Sequence, residues 1–506
     1  MFASSTWALR AILALLAFFD HSEAFQSRSS SSCSPSTQAA LQVHPLPTEV
    51  AKSNAFSVQV RLYDQINATW QNVELYQANL HEINRTTGSV MVHSSSLGLF
   101  DFDKPVELSI TPNRTIFHGI DAARVRPLSY GLNATIGGDA INIVLSKPAN
   151  IVVEVNGDIF NVLHLFLDEV EKHPVSQNDT NENLIYYGPG FHSIDGGKGT
   201  VNISSGQTVY LAPGSVVQGG FVFRNVSDAT IRGRGVIYKT SSDTILVESS
   251  KNIRIDGLTM LNPGHYSITA AMVEGLHVSR FRSISAVQWG DGIDVFCSKD
   301  VLLEKLFMRN SDDCIALYQH RWDYYGDSSN ITIKDSSLWA DVAHPINIGT
   351  HGNSINPETM DGVTVSNVDI LDHREPQIDY QGCIAISCGD ANLIQNVHID
   401  GVRVEDFREG MLLNFRVMYN SKYNTAPGRG IHNVTLKNLT YSGTGENMAI
   451  MAGYDDSRTI EFVDFQGLEI NGQHIWDGMR KPSWYQTSDI MPMYVGSWVK
   501  NLTFSA

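Results

Sequence analysis

Three aspartates are the residues best placed to do chemistry: Asp291 in Trp289-Gly-Asp-Gly-Ile-Asp294, and Asp312 and Asp313 in Arg309-Asn-Ser-Asp-Asp-Cys-Ile-Ala-Leu317. Carboxylates crowded together cannot all ionise at ease, because like charges raise at least one pKa. A set holding one protonated acid and one ionised base suits hydrolysis of a glycosidic bond: the acid protonates the leaving oxygen and the base activates water. An acid–base separation of about 6.5–9.5 Å leaves room for that water and implies inversion of the anomeric centre. The alternative reading of such acids is a calcium site or solvated turn residues, but their spacing favours catalysis. Asp291 and Asp312 are 21 residues apart, which matters only if the chain coils with that period.

It does. From about Leu184 a unit of form Asn/Asp/Gly–apolar–x–apolar recurs at Ala229, Ile253, Leu276, Val301, Ile331, Val363, Val397 and Val434, in steps of 24, 23, 25, 30, 32, 34 and 37 residues. A period in the low twenties with lengthening later steps is a β-solenoid signature, because no single coil can bury its apolar face alone. Successive coils stack about 4.8 Å apart, so Asp291 is expected beside Asp312 and Asp313. Adjacent strand residues face opposite ways, so either the backbone bends at Asp312-Asp313 or one of the pair serves structure. Asn252, Asn330, Asn396 and Asn433 recur at matching places and are expected to stack as a turn ladder. The extra residues of the longer coils must leave as loops, expected to wall a long groove fit for a polymer.

Upstream, alternating stretches such as Phe56-Ser-Val-Gln-Val-Arg-Leu62 and Ile151-Val-Val-Glu-Val155 are punctuated by Gly, Pro and Asn. They predict an antiparallel β-sandwich. The fold class read from the sequence is therefore all-β: a right-handed parallel β-helix preceded by an antiparallel β-sandwich. The expected organisation is a signal peptide over 1–24, a Ser-rich leader over 25–40, a sandwich over 41–183 and the β-helix over 184–506. The apolar run Ala11 to Phe19 behind Arg10 suits a secretory signal and is too short to span a bilayer.

Sequons at Asn67, Asn84, Asn113, Asn133, Asn178, Asn202, Asn225, Asn330, Asn433, Asn438 and Asn501 agree with a secreted, extracellular glycoprotein. The formal charge of −17 argues against a nucleic-acid partner and would mildly repel a polyanion. The five cysteines (Cys33, Cys297, Cys314, Cys383 and Cys388) are an odd number without metal-ligand spacing, and read as mostly buried apolar residues. No metal and no cofactor is expected. The partner expected is a polysaccharide or oligosaccharide, with no nucleic acid and no membrane, and the chain a monomer.

The order Asp291, Asp312-Asp313-Cys314, His344 resembles the polygalacturonases, glycoside hydrolase family 28, over about residues 190–470. The resemblance implies a general-acid role for Asp312, a water-activating role for Asp291 and Asp313, and a supporting role for His344 toward the acid. Trp289-Gly290 replaces the family's Asn-Thr, and Ala343-His344-Pro345 its Gly-His-Gly. The family's Arg-Ile-Lys, which grips a substrate carboxylate, has no basic counterpart in Gly382-Cys-Ile-Ala-Ile-Ser387; Arg416 is the nearest cation. An inserted stretch carrying Tyr318, His320, Arg321, Trp322, Tyr324 and Tyr325 looks like a sugar-stacking loop. Trp289, His351 and Arg416 are further candidate substrate contacts. The sandwich ahead of the helix is similar to the dextranase and isopullulanase family 49, which acts on neutral α-glucans. Both substrate classes stay open, as do a polysaccharide lyase and a non-catalytic carbohydrate-binding protein.

Overall fold

The computed structural model describes residues 40–506 apart from 66, 242, 243 and 446. The expected signal peptide, all but the last residue of the leader, and Cys33 fall outside the described residues.

Alternation builds the first part. In Phe56–Leu62 every second residue is buried at first, and its neighbours Gln71–Val73 and Val106–Pro112 pair with it antiparallel. Thr135–Gly137 and Ala140–Leu145 complete that sheet. A second sheet contains Leu41–Val43, Leu75–Ile83, Val90–Phe102, Ala123–Arg126, Ile151–Val155 and Leu163–Asp168. Phe100, Phe102, Val153 and Leu165 of the second sheet meet Val58, Val60, Leu108 and Ile143 of the first in one core. Antiparallel pairing has one exception: Leu163–Asp168 runs parallel to Val90–Phe102.

From Leu184–Tyr187 onward the strands stack as a parallel β-helix. One wall is an eleven-stranded sheet, from Thr200–Ile203 to Met493–Val495. The other walls share a 21-stranded sheet. The repeat read from the sequence is the observed register: Ile253, Leu276, Val301, Ile331, Val363, Val397 and Val434 pair in succession, and Val463 and Leu502 extend the row. These residues lie in one continuous apolar core.

The expected asparagine ladder forms, with aspartates interleaved. Asn252 donates to Asp228 at 3.0 Å, Asn330 to Asp300 at 2.6 Å, Asn396 to Asp361 at 2.6 Å and Asn433 to Asn396 at 3.1 Å. All four asparagines sit at φ between 54° and 58°. Asn and Asp tolerate this left-handed conformation because their short side chains bond locally. Each turn thus starts the next strand from the same geometry.

The sandwich lies along the helix. Leu80, Leu97, Val152 and Phe166 pack against an outward row of the solenoid that includes Leu261, Ile284, Phe307 and Trp339. Buried charges cross the same seam. Asp168 meets Arg282 at 2.7 Å, Arg234 at 3.5 Å and Arg280 at 3.9 Å, and Arg126 meets Glu405 at 2.7 Å. Cys297, Cys314, Cys383 and Cys388 are buried free thiols, and the last three lie in the apolar core of the helix.

Candidate active site

The eleven-stranded wall carries the acids. Ile293–Phe296, Ile315–Tyr318 and Ile346–Gly349 lie side by side. Ile293, Val295, Ile315, Leu317, Ile346 and Ile348 point into the core, so Asp294, Ala316, Tyr318 and Asn347 face outward. Asp291 and Asp312-Asp313 precede these strands. The Gly292 amide donates to the Asp313 carbonyl at 2.8 Å. A Cβ on Gly292 would collide with the Cys314 carbonyl, so only glycine lets the two coils close up here.

The three carboxylates come together, with one oxygen from each lying within 4.8 Å of the others. Register places Asp291 beside Asp313, two residues before the Ile293–Ile315 pair, rather than beside Asp312. Both aspartates still reach the cluster because the chain bends before the strand. Asp291 and Asp313 are buried, while Asp312 is half-buried.

Asp313 is held by four donors. Its Oδ1 accepts from the His344 amide at 3.0 Å and His344 Nδ1 at 2.7 Å. Its Oδ2 accepts from Tyr318 Oη and Asn347 Nδ2, each at 2.9 Å. A carboxylate has about four lone-pair sites, so Asp313 is saturated. A cation could fit among three such acids, but it would have to displace these bonds. Burial alone would raise the Asp313 pKa; the His344 charge and the bonds from His344, Asn347 and Tyr318 outweigh it and hold Asp313 below the usual carboxylate range.

His344 was expected to support Asp312. Its ring bonds Asp313 instead, and its other nitrogen meets the Tyr380 carbonyl. Both partners accept, so both ring nitrogens donate and the imidazole carries a proton. Burial opposes this charge, but Asp313 prevails and the His344 pKa is raised. Asp312, pushed by burial and then by the Asp313 charge, rises to about 7. Burial and the charges of Asp294, Asp312 and Asp313 push Asp291 well above its ordinary value.

The inserted loop has a fixed base: Glu358 accepts from the His320 and Gly326 amides, both at 2.8 Å. Trp322 and Tyr325 are exposed, as is Trp289. His320 stacks on Tyr325 at 4.1 Å, and Arg321 lies over Trp322 at 4.5 Å. Tyr318 does not belong with the stacking residues, because it is buried with its hydroxyl on Asp313. His351 packs edge-on against Tyr318 at 5.0 Å; burial and the Arg321 charge lower its pKa to about 3, keeping it neutral. Among the described residues Arg416 pairs with no acid; its Nη1 donates to the Asp379 carbonyl at 2.6 Å. The strand Ile384–Cys388 presents Ala385 and Ser387 outward, with no cation.

Sequence reasoning missed Asn347 and gave Tyr380 little weight. Register would have found Asn347, which follows Asp294 and Ala316 in one outward row.

A parallel β-helix with three clustered acids on an outer wall defines a class of polysaccharide-hydrolase scaffold. The chain belongs to the glycosyl hydrolases family 28, whose profile matches residues 216–482. A polygalacturonase of Chamaecyparis obtusa is 28% identical over 217 residues, 41% of this chain and 39% of that protein. A dextranase of Arthrobacter sp. (strain CB-8) is 23% identical over 243 residues, 41% of this chain and 36% of that protein. The chain spans about two fifths of the length of these curated relatives. Among solved structures, Dex49A from Penicillium minioluteum superposes with a TM-score of 0.63 at 14% identity, covering 92% of this chain and 96% of its own. A family 28 exopolygalacturonase from Yersinia enterocolitica gives 0.50 at 11%, covering 79% and 96%. Both share the β-helix fold.

Proposed function

We propose that the protein is a secreted O-glycosyl hydrolase that cleaves glycosidic bonds in a polysaccharide. The observation that carries this is the division of protonation states among three touching acids: Asp312 is driven to hold its proton up to about pH 7 while Asp313 is held ionised. In the proposed reaction Asp312 gives its proton to the leaving oxygen as the C1–O bond breaks. A water oxygen bonds to C1, and Asp291 takes the water proton when it is in its ionised form, a form that burial and the charges of Asp294, Asp312 and Asp313 disfavour. The resemblance implied that Asp291 and Asp313 share that water, but the four bonds on Asp313 leave it no free acceptor site. Asp313 and His344 instead form a fixed charge pair that sets the proton affinity of Asp312. No step needs a metal or cofactor.

Attack by water inverts the anomeric centre. One observation favours a second reading: the oxygens lie within 4.8 Å, shorter than the roughly 6.5–9.5 Å of inverting pairs and nearer the 5–5.5 Å of retaining ones. There ionised Asp291 would bond C1 as the C1–O bond to the leaving oxygen breaks and Asp312 protonates that oxygen, and water would then displace Asp291 from C1. NMR of the first product anomer decides between them.

Polygalacturonan and neutral α-glucans, named by the relatives, are the substrates to test. Trp289, Trp322 and Tyr325 offer ring faces to sugars, His320, Arg321 and His351 support that rim, and Arg416 is the candidate grip on a carboxylate. The test is purified protein on polygalacturonic acid, dextran and pullulan. New reducing ends support the hydrolase; an unsaturated, UV-absorbing end would mean a lyase; binding without products would mean a binding protein. None of the eleven sequon asparagines is buried, so a glycosidase-sensitive mass on protein from the culture medium supports secretion. A single-protomer mass by light scattering supports a monomer.

A further inference from the structure

A polymer that threads past these acids needs an open floor along the wall of the helix. The outward residues of that wall are the natural floor. They are open at its two ends, where Arg224 and Tyr494 are exposed. Over the middle coils they are not: Thr269, Phe296, Ala316, Asn347, Ala385 and Asn414 are each at most 2% exposed, while Leu246, Glu248, Arg416 and Ile450 toward the ends are half-buried. Side chains that face away from the core yet lack solvent must lie under something.

Two roofs cover them. Upstream of the acids, the loop after Tyr318 turns back over earlier coils. Trp322 and Tyr324 each pack on Phe296 at 5.5 Å. Tyr324 Oη donates to Glu248 at 2.6 Å, three coils back along the wall, a reach of about 14 Å at the inter-strand spacing. Downstream, the segment from Glu375 to Gln381 lies flat on the wall. Asn347 Nδ2 donates to Tyr380 Oη at 3.1 Å, and Asn414 Nδ2 to the Gln381 carbonyl at 2.6 Å. A second layer lies on this one: Tyr423 stacks on Tyr380 at 4.6 Å and 22°, and Lys422 Nζ donates to Gln377 at 3.0 Å.

The inserted residues therefore do not wall a long groove, as the sequence suggested. They cross it on both sides of the acids. Of the three acids only Asp312 is more than slightly exposed, and it marks where the site opens. We infer that the acids lie at the bottom of a pocket that admits the end of a polysaccharide chain, so that the enzyme acts from chain ends. This rests on the hydrolase reading above. An internal bond could reach Asp312 only if the chain on both sides climbed over a roof.

The experiment follows digestion of polygalacturonic acid, dextran and pullulan by viscosity and by reducing ends together, with chromatography of the earliest products. Chain-end attack gives a single short product from the first minutes, and viscosity stays near its starting value while reducing ends accumulate. A ladder of intermediate lengths with early collapse of viscosity overturns the pocket and leaves the hydrolase standing. No reducing ends from any polymer overturns both. The Lys422→Ala, Tyr423→Ala double variant strips the outer downstream layer without touching an acid. Circular dichroism verifies its fold, and longer products than wild type are expected. An unchanged product spectrum from that folded variant would overturn the downstream loops as the barrier.

Discussion

The ladder edge and the acid wall of the same solenoid are built on opposite rules. Along the ladder, successive coils place Asp228, Asn252, Gly275, Asp300, Asn330, Gly362, Asn396 and Asn433 at one position, all Asn, Asp or Gly and all at positive φ. Along the acid wall, neighbouring outward positions in one row read Asp294, Ala316, Asn347, Ala385 and Asn414, and no two consecutive coils match. Repetition serves stacking, where every coil has the same task. Chemistry needs unlike groups held a few ångströms apart, and the wall obtains them by placing different residues on successive identical rungs.

That contrast predicts which changes alter rate and which alter stability. The largest effect is expected from Asp312→Asn: kcat should fall about 10²–10⁴-fold, the usual worth of a positioned acid, with sugar affinity retained in a binding assay. Turnover unchanged in this variant would remove Asp312 from the mechanism. Next, Asn347→Ala deletes one donor from Asp313. A charge-assisted bond of this kind contributes about 1.5–3 kcal/mol, so kcat should fall roughly tenfold or more if Asp313 must stay ionised. Asp313 should then titrate at higher pH, moving the acidic limb of the rate profile upward. A purely structural Asn347 would lower Tm and leave that limb in place.

The pH profile sharpens the same point. Asp312 works protonated, and its pKa is raised to about 7, so the rate should decline as pH rises through about 7. In Asp313→Asn a negative neighbour is lost, the Asp312 proton is held less tightly, and the alkaline limb should move to lower pH. An unmoved limb would mean that Asp313 does not set that proton. The smallest expected effect lies on the ladder. Asn252→Ala leaves a Cβ in left-handed geometry at a cost of about 1–2 kcal/mol, lowering Tm while kcat/KM stays at the wild-type value. A change in kcat/KM there would break the division between the two edges.

How much of this was legible follows from the same contrast. The periodic rows from Ile253 to Val434 and the Asn252, Asn330, Asn396 and Asn433 rungs were readable because repetition is a sequence property. Asp291, Asp312 and Asp313 were readable once the period placed them on neighbouring coils. The partner of His344 was not, because 30 residues of loop and strand separate it from Asp313 and a ring can face either aspartate. Nor was Tyr318, whose place beside aromatic loop residues suggested sugar stacking while its outward position on a strand turned it onto Asp313. The roofs were hidden for a similar reason: coil length reveals that residues leave the solenoid, and their direction depends on distant contacts such as Tyr324 with Glu248.

Asp168 ends the last strand of the sandwich and faces three arginines from the solenoid. A splint of this kind cannot be unbuckled without harm. Trimming the chain back to its coils would leave three like charges staring at one another beside a bare oily strip, from Leu261 to Trp339. The first 130 or so described residues are thus a permanent part of the scaffold, and any shortened catalyst would need new residues along that whole flank.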